Sequence, residues 1–171
     1  MPEPLPVLDF PGVAADARLV PVPTADMAPF EAALAERVLR LQACSACGRV
    51  RFPVAPVCPH CGGAGAEWRE VDGRGHVHTW ARYHRAFAPE FEPLVPYSVL
   101  CVELDAGVRL FGRFTAETAP ELGQRVQAAV ERWPEGRLVL AFAPAGGRPA
   151  GGRIHSGRGS GGLPPRAGGE G

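Results

Sequence analysis

Four cysteines in two tight pairs, Cys44-Ser-Ala-Cys47-Gly48 and Cys58-Pro-His-Cys61-Gly62, are the residues whose spacing points most directly to chemistry. Two residues between the members of a pair let both sulfurs of one tight turn face a single ion. Ten residues, Gly48 to Val57, separate the pairs and leave room for a hairpin that brings the two turns together. A glycine directly after each pair supplies the positive φ that such a turn favours. The expected product is a tetrahedral thiolate cage for one zinc ion. Four sulfurs leave no open coordination position, so the ion is structural and not a Lewis-acid catalyst. His60, inside the second pair, finds the sphere already filled and is expected to stay outside it. A unit this small has little core of its own, so the metal supplies much of its folding energy.

The same knuckles also occur in rubredoxins, where iron transfers electrons. Ten intervening residues are far fewer than rubredoxins use, and the acidic, aromatic-rich rubredoxin body is missing, so zinc is the expected ion. A fifth cysteine, Cys101, sits inside the apolar run Val99–Val102 and reads as a buried core residue. Strict alternation from His76 places His76, His78, Trp80, Arg82 and His84 on one face of a strand, with Val77, Thr79, Ala81 and Tyr83 on the other. The histidines lack a nearby third ligand and read as a polar, solvent-facing row. The chain has no nucleophile elbow, phosphate-binding glycine loop or dinucleotide fingerprint. No set of residues composes a catalytic constellation, and the expectation is a protein that is not an enzyme by itself.

The elements that must hold the cage follow from composition and periodicity. The chain has 171 residues, 46% of them hydrophobic, which is enough for a packed core. Residues 1–24 carry six prolines and read as an extended arm. Residues 25–38 read as a short helix with Phe30, Leu34 and Val38 on one stripe, Asp26 as its N-cap and Pro29 in its first turn. Residues 39–72 form the metal ribbon, with Arg49–Pro53 as a strand of its hairpin. Between 73 and 143 the period changes to two, with five strands at 75–83, 97–105, 108–114, 124–132 and 137–143. Asp105-Ala-Gly107 and Pro134-Glu-Gly136 supply hairpin turns. The fold class is mainly β: an N-terminal helix, a rubredoxin-like zinc ribbon and a five-stranded oligonucleotide/oligosaccharide-binding (OB) barrel. Residues 144–171, rich in glycine, are expected to be a disordered tail.

Charge narrows the choice of partner. Eighteen arginines balance eighteen acidic residues, and lysine is absent. Trp80, Tyr83, Phe87, Phe91 and Phe111 offer stacking platforms of the kind that hold single-stranded nucleic acid. However, residues 67–143 hold nine arginines against eleven acidic groups, so counterion release would contribute little affinity. A single-strand binder therefore stands as the second reading. No stretch approaches a membrane span, and the N-terminus lacks the basic start and apolar run of a signal peptide, which together point to the cytoplasm.

The order of motifs resembles a known family. A helix is followed by Leu39-Arg-Leu-Gln-x-Cys-x-x-Cys-Gly-Arg-Val-Arg-Phe-Pro53 and Val57-Cys-Pro-His-Cys-Gly62. Then come Gly73-Arg-Gly-x-Val-x-Thr-Trp80, His84-Arg-Ala-Phe-Ala-Pro89, Leu94-Val-Pro-Tyr97 and Val102-Glu-Leu-Asp105. Over about residues 24–143 this is similar to the zinc-ribbon plus OB-fold proteins long catalogued as a domain of unknown function. The resemblance implies a non-catalytic subunit that assembles with a thiolase-fold or related acyl-CoA enzyme and helps to bind or channel acyl-CoA. The metal ligands Cys44, Cys47, Cys58 and Cys61 carry over from the family motif. Trp80, His84, Arg85 and Phe87 are carried as partner or acyl-CoA contacts. The loop at 84–89 either meets a partner or a CoA phosphate, or packs across the barrel mouth. Leu110-Phe-Gly-Arg-Phe-Thr115 departs from the small polar stretch that many members carry there.

Overall fold

Leu110, Gly112 and Phe114 point inward from one strand while Arg109, Phe111 and Arg113 point outward. This two-residue period, repeated through the second half of the chain, closes a barrel. The computed structural model describes residues 3–10, 24–133 and 136–146. Five strands make the barrel: β5 (Arg74–Tyr83), β6 (Tyr97–Leu104), β7 (Arg109–Phe114), β8 (Arg125–Arg132) and β9 (Leu138–Pro144). They run in the spatial order β8-β5-β6-β7-β9, and pairing of β8 with β9 closes the ring. The β7–β9 pair is parallel and the other barrel pairs are antiparallel, as the OB architecture requires. Gly107, at φ 81°, makes the turn between β6 and β7, and its N–H donates to Leu104 O at 2.8 Å. Of the turn expected at Pro134-Glu-Gly136, only Gly136 is among the described residues. Nearly all of the expected tail also lies outside them, from residue 147 onward.

Ahead of the barrel stand β1 (Val7–Asp9), α1 (Ala28–Ala35), β2 (Arg40–Cys44), β3 (Val50–Arg51) and β4 (Ala66–Glu70). Strands β3-β2-β4 form a small antiparallel sheet, the body of the ribbon. One core runs through all parts: Phe30 and Leu34 of α1, Leu39 and Leu41 of the ribbon, and Val77, Leu100, Leu110, Val126 and Phe142 of the barrel are all buried together. Phe30 meets Phe52 with ring centroids 5.3 Å apart, and Glu31 pairs with Arg137 at 3.0 Å, so α1 bridges ribbon and barrel. Among the described residues, no helix is long and apolar enough to cross a membrane.

Four details differ from the sequence-based expectation, each for a local reason. The helix buries Phe30, Ala33 and Leu34 but ends before Val38. Arg37 takes φ 63°, and the N–H groups of Val38 and Arg37 bond to the carbonyls of Ala33 and Leu34, a Schellman closure with a non-glycine residue in the left-handed position. Asp26 does not cap the helix; the Thr24 carbonyl accepts the N–H groups of Met27 and Ala28 instead. The N-terminal segment is extended over residues 3–10 but is not a detached arm. Val7–Asp9 pairs in parallel with Val130–Arg132, Leu5 is buried, and Arg37 both accepts from the Leu5 N–H at 2.7 Å and donates from Nε to Leu5 O at 2.9 Å. Strict alternation also fails in β5. A register shift between Val77 and Thr79 leaves His78 as an extra residue, so Val77 and Trp80 come onto the same side, opposite Val102 and Leu100. Trp80 consequently packs against the core while His78 stays exposed.

The barrel tolerates no side chain where β5 starts. A Cβ on Gly75 would lie 2.5 Å from Glu103 O and 2.9 Å from the Leu104 Cα, both backbone atoms that cannot swing away. Gly75→Ala is expected to cost about 1–3 kcal/mol, read as a lowered urea midpoint at unchanged m-value. An unchanged midpoint would refute this account of the β5–β6 contact.

Candidate metal centre and barrel pocket

The two knuckles are built as the spacing predicts. The first turns at the end of β2, where the Gly48 N–H donates to Cys44 O at 2.8 Å with Gly48 at φ 72°. The second repeats it, with the Gly62 N–H on Cys58 O at 2.9 Å and Gly62 at φ 75°. Cys44 and Cys58 are buried, and Cys47 and Cys61 close the cage from the solvent side. Sγ of Cys44 lies 3.6 Å from that of Cys61, and Sγ of Cys47 lies 3.8 Å from that of Cys58. All four sulfurs fall within 4.8 Å of one another. A tetrahedron with metal–sulfur bonds of about 2.3 Å has edges of about 3.8 Å, so the donor set fits one zinc ion.

The backbone prepares these sulfurs as anions. N–H groups of Cys47 and Ala46 aimed at Cys44 hold its thiol below the ordinary range. The His60 N–H does the same for Cys58, whose thiol is lowered to about 6. Cys61 receives the Gly63 N–H, but the sulfurs of Cys44 and Cys47 outweigh it and push its thiol up to about 11. Four thiolates cannot crowd together without a cation, and a dication relieves that repulsion. His60 stays outside the cage, with Nδ1 3.0 Å from an Arg49 guanidinium nitrogen. Cys101 is buried in β6, as its apolar neighbours predict. His78 Nδ1 lies 3.8 Å from Glu103 Oε2, and the histidine row contributes to no metal-capable cluster among the described residues.

The remaining candidate contacts do not gather at one point. Phe87 stands 80% exposed at the rim of a pocket on the outer face of the barrel, and His84 and Arg85 are exposed on the same loop. Trp80 is half-buried against the core instead. The pocket encloses about 450 Å³ and takes in Tyr83, Phe91 and Phe111 together with Tyr97 and Trp133, two aromatics that sequence reasoning did not single out. It missed the floor as well. Alternation with Val130 puts Glu131 on the outward face of β8, yet it is 1% exposed, and Arg113 Nε donates to its two carboxylate oxygens at 3.0 and 3.1 Å. A buried carboxylate between apolar neighbours needs such a partner, and an arginine at an outward position of β7 was the available signal.

Metal analysis of the purified chain should give one zinc per chain, and Cys47→Ala should lose it on dialysis and melt at lower temperature. Stoichiometric iron with a red colour, or a Cys47→Ala chain that keeps its metal, would contradict the assignment. The depressed Cys58 thiol also sets a pH dependence. Stability that rests on the thiolate is present above the unfolded thiol value and is lost as pH falls through the folded one. Bound zinc lowers that value further, so the ion is retained at neutral pH and released on acidification, which a colorimetric zinc chelator follows directly.

Comparison with known proteins agrees with this geometry. Residues 32–67 match the family described as ChsH2, rubredoxin-like zinc ribbon domain, and residues 68–131 match ChsH2, C-terminal OB-fold domain. A probable enoyl-CoA hydratase alpha subunit of Thermomonospora curvata is 42% identical over 81 residues, which is 47% of this chain but 24% of that protein. The chain thus spans about a quarter of that relative's length. A DUF35 domain-containing scaffold protein of Methanocaldococcus jannaschii is 34% identical over 97 residues, 54% of this chain and 67% of that protein. Among solved structures, one described as the Ltp2-ChsH2(DUF35) aldolase superposes with a TM-score of 0.66 at 33% identity, covering 74% of this chain and 99% of that one. With a four-cysteine ribbon leading into an OB barrel and nearly the full length of a DUF35 chain matched, this chain belongs to the DUF35 family in its ChsH2-like form.

Proposed function

We propose that the chain is a non-catalytic, zinc-stapled accessory subunit that assembles with a thiolase-fold or related acyl-CoA enzyme and helps to hold the acyl-CoA. The observation that carries this reading is the match, at 33% identity, to 99% of a chain in a structure described as an aldolase with Ltp2 and ChsH2(DUF35) named together. The hydratase subunit and the archaeal scaffold protein among its relatives support the same role. In this reading His84, Arg85 and Phe87 contact the partner or the acyl-CoA from the rim, with the Arg85 guanidinium facing the anionic end of CoA. Trp80 belongs to the packing that supports them. The thiolate cage suits a reducing compartment, and we place the protein in the cytoplasm.

Nucleic acid is the less favoured ligand, because acidic groups outnumber arginines across the barrel. Co-expression with a thiolase-fold enzyme should give a complex on gel filtration and raise that enzyme's solubility or turnover. The chain alone should show no thiolase, aldolase or hydratase activity. His84→Ala combined with Arg85→Ala should weaken association with acetyl-CoA at low salt by threefold or more. Turnover by the isolated chain, or micromolar, salt-sensitive binding of a labelled oligonucleotide with no effect of CoA, would overturn the proposal.

A further inference from the structure

The pocket on the outer face of the barrel has a wall of rings in continuous contact. Phe87 meets Tyr83 at 5.4 Å, Tyr83 stacks on Tyr97 at 5.1 Å, Tyr97 meets Phe91 at 5.6 Å, and Phe91 meets Trp133 at 5.7 Å. Phe111 also lines the pocket and is 67% exposed. A second cavity of about 230 Å³ shares Phe111, Trp133, Val139 and Leu140 with the first and reaches Phe30 and Leu34 of α1. The two adjoin along these shared residues and give the outer face a groove with apolar sides. Among the described residues, its charged lining at the barrel end is the Arg113–Glu131 pair, in which each charge cancels the other. At the helix end Glu31 and Arg137 are likewise paired, at 3.0 Å. Such a groove has nothing to hold a phosphate but is of the size that takes small apolar ligands. The Trp133 indole N–H is buried and has no acceptor among the described residues.

We infer that this groove binds the apolar acyl chain of an acyl thioester, while the charged nucleotide of CoA stays outside it beside His84 and Arg85. The inference rests on the acyl-CoA reading above and adds a place and a preference to it. A two-carbon acyl group leaves most of the groove empty. Longer chains bury more methylenes, each adding roughly fourfold in affinity when fully buried. The acyl chain, not the nucleotide, thus sets selectivity.

Titration calorimetry of the full zinc-loaded chain with CoA, acetyl-CoA, hexanoyl-CoA, decanoyl-CoA and decanoyl-pantetheine, all below their micellar range, tests this. Affinity should rise at least tenfold from acetyl- to decanoyl-CoA, and decanoyl-pantetheine should keep that gain. Val99→Trp, which fills the pocket, and Phe111→Ser, at an exposed position, should each abolish the gain while zinc content stays at one ion per chain. Equal binding of CoA and decanoyl-CoA, no binding of any thioester, or a gain that survives both variants would overturn the inference. If the variants instead break assembly with the enzyme and leave the chain-length gain intact, the groove is a protein docking surface; the inference falls and the accessory role stands. A gain that behaves as expected in a chain that assembles with no thiolase-fold enzyme would sink the accessory role and leave the groove assignment in place.

Discussion

The ribbon's inability to bury a core of its own constrains everything around it. Its sheet has three strands, one only two residues long, and its buried apolar side chains are little more than Leu39, Leu41 and Ala43 beside two cysteines. Hydrophobic burial on that scale cannot offset the entropy of ordering the chain. Two attachments compensate. The metal cross-links the knuckles at one end, and at the other Leu39 and Leu41 join the core formed by α1 and the barrel. The helix is short because it bridges two bodies instead of forming a layer. The ribbon is consequently held in a fixed orientation on the barrel through shared packing.

The barrel solves a different problem on its outer face. Sheet faces turned away from a core are ordinarily polar and wet, but here the segment between β5 and β6 lays Phe87 and Phe91 over that face. Glu131 lies buried on the same side and pairs with Arg113 on the far side of β9. Such pairs are weak evidence for stability, since desolvation offsets most of the attraction. Their effect here is geometric: three strands are tied together under a floor that is polar in composition and neutral in charge.

The features that were legible in the sequence are those whose causes are local. Cysteine pairs with a following glycine define their turns within five residues, and the strands of the barrel follow from alternation interrupted by glycine turns. The features that were not legible depend on residues far apart. The pocket draws Tyr83, Phe91, Tyr97, Phe111 and Trp133 from separate elements, and only the closed barrel brings them to one place. Glu131 reads as a surface residue until its cover is known. In β5, one additional residue at His78 reverses the facing of everything after it, so Trp80 moves from the polar row to the core. The proline-rich start hid β1, because it pairs with a strand that no local pattern associates with it.

That first strand has a kinetic consequence. Val7 pairs with Val130, roughly 120 residues later, so β1 is synthesised long before its neighbour. Until β8 exists, Leu5 and Val7 have nowhere to dock, and until β1 arrives, one side of β8 at Val130–Arg132 lacks the partner it has in the finished molecule. The interval leaves an unpaired strand edge able to accept a strand from a second nascent copy. In the finished molecule the paired bonds between Leu5 and Arg37 fix the segment beside the end of the helix. The left-handed turn at Arg37 thus anchors β1 at its start, while β8 anchors it along its length.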